Sequence, residues 1–343
     1  MRQALSAGTI VAAPPATRGP TWPATPWHDS TMKTLAPAAR KDDRLLQAMG
    51  LMVVYVGLIV YVNAAGKVMA ESFHPFEVTL FRHGIAFLWM LLLFAPRHGP
   101  RILVPKRPGI QILRGLFGIF SSLAYFTGLT QLSLATAAAI SFSAPLIVAA
   151  LSGPLLGEKV GLHRWAAILI GFLGTLIIIR PGGASIDQWG AILLIVSAVC
   201  SAMYQLMTRR LAGQDHAETT NIWSGFVGSC VVLVMAPFFF TMPDRWEHWA
   251  VFLSMGMIGG SAHYLLTKAF ERGPAALLSP FNYLQLFGAT LTGYVLYQNL
   301  PDGWTWVGAG VIVGAGLYIA RRENRLRASL LNPALSRPQS RQQ

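Results

Sequence analysis

Arg82 is the residue whose position most needs a chemical reason. It lies seven residues past Pro75, within an apolar run spanning about residues 75–95, so about 10 Å along a helix at roughly 1.5 Å per residue. Hydrocarbon at that depth offers a guanidinium nothing, so it must face a partner or a cavity. Its planar fork of N–H donors suits a carboxylate or phosphate. Glu77 falls in the first turn of the same run, where a carboxylate complements the helix dipole. Two uses of Arg82 stand side by side: binding an anionic group of a ligand, or a structural salt bridge to Glu71 or Glu77.

Other residues at membrane depth could join such a site. His263 and Tyr264 sit in the inner half of the eighth apolar run, Tyr125 at the matching place in the third, and Tyr204 near the inner end of the sixth. Tyrosine faces suit a flat or heterocyclic ligand, although plain packing uses the same rings. His263 reads equally as a ligand contact and as a hydrogen-bonded packing residue. In Ser141-Phe142-Ser143-Ala144-Pro145 the proline frees the carbonyl of Ser141, and Pro280, before Phe281-Asn282-Tyr283, frees that of Ala276. Interrupted helices at corresponding places in two repeats point to a substrate site; a packing kink is the plainer reading. The candidate binding set is Glu77, Arg82, Tyr125, Ser141, Tyr204, His263, Tyr264, Asn282 and Tyr283. No catalytic group, cofactor or metal is expected. HExxH, GxSxG and GxxxxGK[ST] patterns are missing, and Cys200 and Cys230 lie in apolar runs, where they read as packing.

The elements that must carry these residues follow from composition. Hydrophobic residues make up 53% of the chain and charged ones 12%, about half the charged share of a soluble protein; mean hydropathy is +0.48. Ten runs approach the roughly 20 residues that cross a bilayer: about 46–69, 75–95, 110–130, 134–153, 163–180, 188–208, 220–240, 249–268, 275–297 and 304–320. The net charge of +13 is not spread evenly. Arg97, Arg101, Lys106, Arg107, Lys159, Arg164, Arg209, Arg210, Lys268 and Arg272 follow even-numbered runs, while loops after odd-numbered runs hold only the basic residues Arg180 and Arg245, with Glu71, Asp187, Asp244, Glu247 and Asp302. This positive-inside bias places both termini in the cytoplasm. No basic cluster is interleaved with aromatic platforms, so nucleic acid is not an expected partner.

The chain also repeats itself at about 140 positions. Ala124-Tyr125 aligns with His263-Tyr264, Ser141-Phe142 with Pro280-Phe281, Ala95-Pro96 with Ala236-Pro237, and Trp165 with Trp306. Glu77 is echoed by Glu218, whereas Arg82 meets Ile222 or Trp223, so the repeat does not require the arginine. Five helices per copy is an odd number, which puts the second copy upside down in the membrane. The expected fold is an all-α polytopic membrane protein with ten transmembrane helices in two inverted five-helix repeats. They occupy residues 45–182 and 186–322, between a disordered cytoplasmic tail at 1–44 and a basic one at 323–343. The first tail has no signal-peptide core, and Met32 is an alternative start. Small residues, among them Gly171, Gly174, Gly308, Gly310, Gly314 and Gly316, are expected to bring helices close. Lys67 and Arg114 are expected to snorkel to the interfaces.

Several of these stretches resemble the drug/metabolite transporter superfamily, in its ten-helix branch with two EamA domains. In the first half these are Ser133-Leu134-Ala135-Thr136-Ala137, Pro145, Leu156-Gly157-Glu158, Trp165, Gly171, Gly174 and Arg180-Pro181-Gly182. In the second they are Pro274, Ser279-Pro280-Phe281-Asn282-Tyr283, Gly293, Pro301 and Trp306. Asn299 stands where the family usually has a glutamate. Phe76-Glu77-Val78-Thr79-Leu80-Phe81-Arg82 is similar to a subgroup that includes carriers of S-adenosylmethionine and riboflavin. The resemblance implies a secondary transporter of the inner membrane for a small polar or aromatic metabolite, with Arg82 on an anionic group and tyrosines stacking on the ligand. A membrane sensor or scaffold with the same bundle is the alternative. The expected partners are a small molecule and the lipid bilayer; substrate, direction of transport, coupling ion and oligomeric state are not fixed.

Overall fold

In a bilayer core no water is present to take up backbone N–H and C=O groups, so apolar runs of this length must satisfy them internally as helices. The computed structural model describes residues 38–156, 161–181, 186–211, 214–273 and 278–331. Residues 1–37 and 332–343 of the expected tails, together with Gly157, Glu158, Gly182, Pro274 and Ala276, lie outside the described residues. Helix α1 spans Ala38–Met69, α2 Pro75–His98 and α3 Pro108–Gln131. Helix α4 comes in two pieces, Leu134–Ser141 and Ser143–Leu156, and α5 spans Leu162–Ile179. The second half holds α6 Gln188–Leu211, α7 Ala217–Phe239, α8 Trp246–Arg272, α9 Leu284–Tyr297 and α10 Gly303–Leu331. Among the described residues nine helices are long and apolar enough to span a membrane, α9 is the shorter tenth, and no strand occurs.

Local chemistry sets the helix ends and breaks. Ser133 caps α4 by accepting the Thr136 N–H at 3.1 Å. Gly99, at φ +66°, ends α2 in a conformation that glycine adopts without a Cβ penalty. Pro145 has no N–H to return to Ser141, and α4 breaks one residue later, at Phe142. At the corresponding place in the second half, Pro280 opens a 3-10 turn, Ser279–Tyr283, which leads into α9.

The packing follows an approximate two-fold relation. Pairs α2–α7, α4–α9 and α5–α10 each join equivalent helices, and α2–α8 is mirrored by α7–α3. This is the pattern of two inverted five-helix repeats. At the α5–α10 crossing a Cβ on Gly174 would stand 2.8 Å from the Gly308 carbonyl, so the approach of the two backbones requires glycine. Gly171 and Gly316 are also closely covered, but Gly310 and Gly314 face open space, so the expectation of close contact does not hold for those two.

Polarity is distributed inside out. Leu88, Leu92, Leu173, Leu233 and Val295 are exposed, while Arg114, Gln111 and Glu77 are buried. An apolar exterior of this extent belongs against lipid. One end of the bundle joins loops after even-numbered helices: the Lys106 N–H donates to Asp215 Oδ1 at 2.8 Å, and Trp223 Nε1 donates to the Leu103 carbonyl at 2.9 Å. The other end joins loops after odd-numbered helices, through the Thr241 N–H to Glu77 Oε2 at 3.2 Å and Arg180 to Asp302 at 2.5 Å. Cysteine labelling should therefore place Arg101 and Arg210 on one side of the membrane and Asp244 on the other. Labelling of all three from the same side would rule out this arrangement.

Asp302 ties α5 to α10. Its Oδ1 accepts the Thr305 N–H at 3.0 Å as an N-cap, and Oδ2 pairs with Arg180. Partial burial pushes this carboxyl up, but the bonds from Thr305 and Arg180 outweigh it and hold it below its ordinary value. A depressed carboxylate gives stability that is present above its unfolded pKa and lost as pH falls through the folded one. Asp302→Asn should lower the melting temperature slightly at pH 7, and the gap to wild type should close in strong acid. A gap independent of pH would show that the cap alone, without the charge, is responsible.

Candidate functional site

The polar residues inside the bundle converge on a cavity of about 210 Å³ between the two halves. Helices α1–α4 and α6–α8 all contribute to its wall. From the named set, Arg82, Tyr125, Ser141, Tyr204 and His263 line it.

Arg82 is carried in about two turns along α2. Its Nη1 donates to Ser122 Oγ at 3.0 Å, and Nη2 lies 3.5 Å from His263 Nε2. The guanidinium also stands over the Phe126 ring, 5.4 Å from its centroid. Arginine nitrogens only donate, so His263 Nε2 is the accepting nitrogen and its proton sits on Nδ1. That Nδ1 is buried with no hydrogen-bond partner among the described residues. Ser122 Oγ is shared with His83 Nε2 at 3.0 Å. Tyr204 packs edge-on against His263 with ring centroids 6.2 Å apart, and Tyr55 lies 6.5 Å from the same ring. The Ser141 hydroxyl donates to the Ala137 carbonyl at 2.8 Å, next to the break in α4.

The remaining four named residues lie outside the lining. Glu77 lies in the first turn of α2, bonded to the Thr241 N–H, with Oε1 unpartnered among the described residues. It forms no salt bridge with Arg82, so the structural pairing considered from sequence is replaced by Ser122 and His263. Tyr264 points from the other face of α8, donating to Glu218 Oε1 at 3.1 Å, where Lys268 also binds. Asn282 accepts from Gln285 at 3.4 Å. Tyr283 packs edge-on against Phe142, with centroids 5.2 Å apart, linking α9 to the break in α4.

Two expectations about cations are corrected. Arg114 does not snorkel: it is 1% exposed. Its Nε donates to Thr208 Oγ1 at 2.7 Å, Nη1 to the Thr220 carbonyl at 2.8 Å and to Ser224, and Nη2 to Tyr204 at 2.5 Å. It thus clamps α3 of one half to α6 and α7 of the other, and its partners Ser224 and Tyr204 are part of the cavity wall. Lys67 is half-buried and donates to the Leu129 and Leu132 carbonyls, both at 2.8 Å, which caps the C-terminal end of α3.

The wall also contains residues that sequence inspection did not select, including Tyr55, Asn63, His83, Ser121, Ser122, Ser197, Ser201, Asn221 and Ser224. A signal was present. Tyr55, Ile59 and Asn63 recur every fourth residue, as do Ser197 and Ser201, and Ser121 and Tyr125, so each set shares one helix face. Ser121 and Ser197 exchange hydroxyl-to-carbonyl bonds across the halves, at 3.0 and 2.8 Å.

Comparison with known proteins agrees with this architecture. The model of the EamA-like transporter family matches residues 45–180 and again 188–321. The chain belongs to the EamA-like transporter family. It is a multi-pass membrane protein of a transporter family and not an enzyme. Among its relatives is an S-adenosylmethionine uptake transporter of Rickettsia felis, 28% identical over 263 residues, covering 77% of this chain and 88% of the relative. A riboflavin transporter of Rhizobium johnstonii is 29% identical over 265 residues, covering 75% and 84%. A solved crystal structure, 21% identical and covering 82% of this chain and 98% of that one, shares the fold with a TM-score of 0.57.

The Arg114 clamp gives a direct test. Arg114→Ala should lower the melting temperature of the purified protein more than Tyr204→Phe, which leaves the arginine its other acceptors. For Tyr204→Phe the loss of one hydrogen bond to a charged group corresponds to about 1.5–3 kcal/mol. An unchanged melting temperature for Arg114→Ala would return Arg114 to the lipid interface.

Proposed function

We propose that this chain is a secondary transporter of the inner membrane that carries a small polar or aromatic metabolite by alternating access. The observation that carries this reading is the cavity at Arg82, polar and charged, lying between two inverted halves whose exterior is apolar. Inverted-repeat transporters hold their substrate at the interface of the halves and expose it by rocking one half against the other. The size of the cavity, about 210 Å³, suits a small molecule and not a polymer.

In this reading both termini face the cytoplasm, as the basic loops favour, and residues 45–182 and 186–322 are the two moving repeats. Arg82 binds a polar or anionic group of the cargo, and its N–H groups not used by Ser122 and His263 are available to do so. Tyr125 and Tyr204 supply ring faces for a flat portion, and Ser141 and His263 supply hydrogen-bonding groups. Glu77, Tyr264, Asn282 and Tyr283, which do not line the cavity, are assigned positioning work. The broken α4 and the 3-10 entry to α9 are in contact and sit at matching places, which suits a hinge. Relatives named for S-adenosylmethionine uptake and riboflavin transport support carriage of a metabolite with a flat heteroaromatic ring.

Flux into liposomes tests the proposal, using a metabolite chosen by thermal stabilisation of the purified protein across a panel. Arg82→Ala should abolish saturable flux, more than 100-fold, while the protein still inserts and folds. Arg82→Lys keeps the charge, loses the planar fork and should recover only part of the rate. Glu77→Gln should do less harm than either. Wild-type protein that binds such a metabolite yet shows no saturable flux would identify a sensor or scaffold.

A further inference from the structure

The charges around the cavity do not balance. Among the described residues the wall carries Arg82 and no aspartate or glutamate. A second guanidinium, that of Arg114, lies immediately behind it, bonded to the wall residues Tyr204 and Ser224. Among the described residues, every group that accepts from either arginine is neutral: hydroxyls of serine, threonine and tyrosine, a backbone carbonyl, and the unprotonated nitrogen of His263. Such bonds satisfy N–H donors but leave the positive charge uncompensated, and a buried uncompensated charge is costly in a low-dielectric interior.

The acidic residues that might have served are used elsewhere. Glu77 takes the Thr241 N–H at one end of the bundle. Glu218, its counterpart in the second half, pairs with Lys268 at 3.1 Å. Asp215 is held by the Lys106 N–H and by Gln111 at 2.9 Å, and Asp302 by Arg180. None of these lines the cavity. A cationic cargo would bring a third positive charge into a space that already has two and nothing to offset them. An anionic cargo would supply what the fold omits.

We infer that the cavity selects metabolites of net negative charge, a flat ring bearing phosphate or carboxylate, with Arg82 contacting the anion and Arg114 fixing the sign of the field behind it. This rests on the transport reading above and sets the cargo of this chain apart from those named for its relatives, since riboflavin is neutral and S-adenosylmethionine is a net cation. Arg114 acts as a specificity-determining residue through Tyr204 and Ser224, without touching the cargo. A bound phosphate dianion offsets both guanidiniums and a carboxylate offsets one, which lowers the barrier to closing the halves over the cargo.

The test uses the full chain in lipid nanodiscs at constant ionic strength, with four probes: inorganic phosphate, riboflavin, riboflavin 5′-phosphate and S-adenosylmethionine. The two flavins share a ring and differ by one phosphate, and S-adenosylmethionine is a net cation. Riboflavin 5′-phosphate should bind at least tenfold more tightly than riboflavin, inorganic phosphate should compete with it, and S-adenosylmethionine should bind worst. Arg82→Gln should abolish the difference between the flavins, and Arg114→Gln should narrow it. If Arg82→Gln does not fold, Arg82→Lys serves instead and should preserve the order of affinities. Equal or tighter binding of riboflavin or S-adenosylmethionine would overturn the inference, as would the absence of binding by both phosphate-bearing probes. A cysteine at Asn63, on the cavity wall, gives the separate readout. In sealed proteoliposomes, where the two faces can be reached separately, labelling from both sides with the wrong order of probes sinks the charge selectivity alone, whereas labelling from one side only sinks the transport reading.

Discussion

Hydrocarbon solvates neither a peptide group nor a charge, and most of this structure follows from that constraint. It requires the backbone to close its hydrogen bonds within each span, so the described spans are helical apart from the breaks in α4 and before α9. It also decides where irregular backbone can occur. The breaks at Phe142 and at Ser279–Tyr283 lie inside the bundle, in contact with each other's helices, where protein groups replace the missing solvent. And it forces the two deep arginines inward, onto hydroxyls and a carbonyl gathered from helices of both halves.

Those arginines act as joints between the halves as well as charges. Arg82 leaves α2 and meets α3 and α8; Arg114 leaves α3 and meets α6 and α7. Between them the first half is fastened to the second through polar contacts, and α5–α10 is fastened through backbone approach at Gly174 and Gly308. The two kinds of contact suit different work. Close glycine packing resists sliding, while hydrogen bonds around a cavity can exchange one acceptor for another at small cost when the halves shift.

The two-fold relation supplies the scaffold, and departures from it supply the chemistry. Glu77 and Glu218 occupy equivalent first turns, Pro96 and Pro237 equivalent positions near helix ends, and the α4–α9 breaks face each other. Arg82 has no such twin: at the matching places Ile222 is buried among apolar groups and Trp223 donates to the Leu103 carbonyl. His263 likewise faces Ala124 in the alignment. A symmetric bundle thus surrounds an asymmetric cavity, with the cation from one half and the imidazole that accepts from it, His263, from the other.

The sequence by itself determined the ten helices, the inverted pair of repeats and the family, because each depends on properties that add along the chain: hydropathy, alternation of charged loops and repetition. It also marked Arg82, since a charge that deep in an apolar run is anomalous in one dimension. What only the tertiary structure decided was the direction of each side chain about its helix and the neighbour it meets. Tyr264 follows His263 by one residue, yet a helix turns by about 100° per residue, so one faces the cavity and the other faces Glu218. Arg114 looked like an interfacial residue because sequence shows its distance from a helix end but not that α6 and α7 cover it. The serines and Asn221 were passed over because a single hydroxyl or amide in a helix is unremarkable alone. Their meaning comes from seven helices bringing them to one place, a relation between residues about 200 positions apart that no local pattern records.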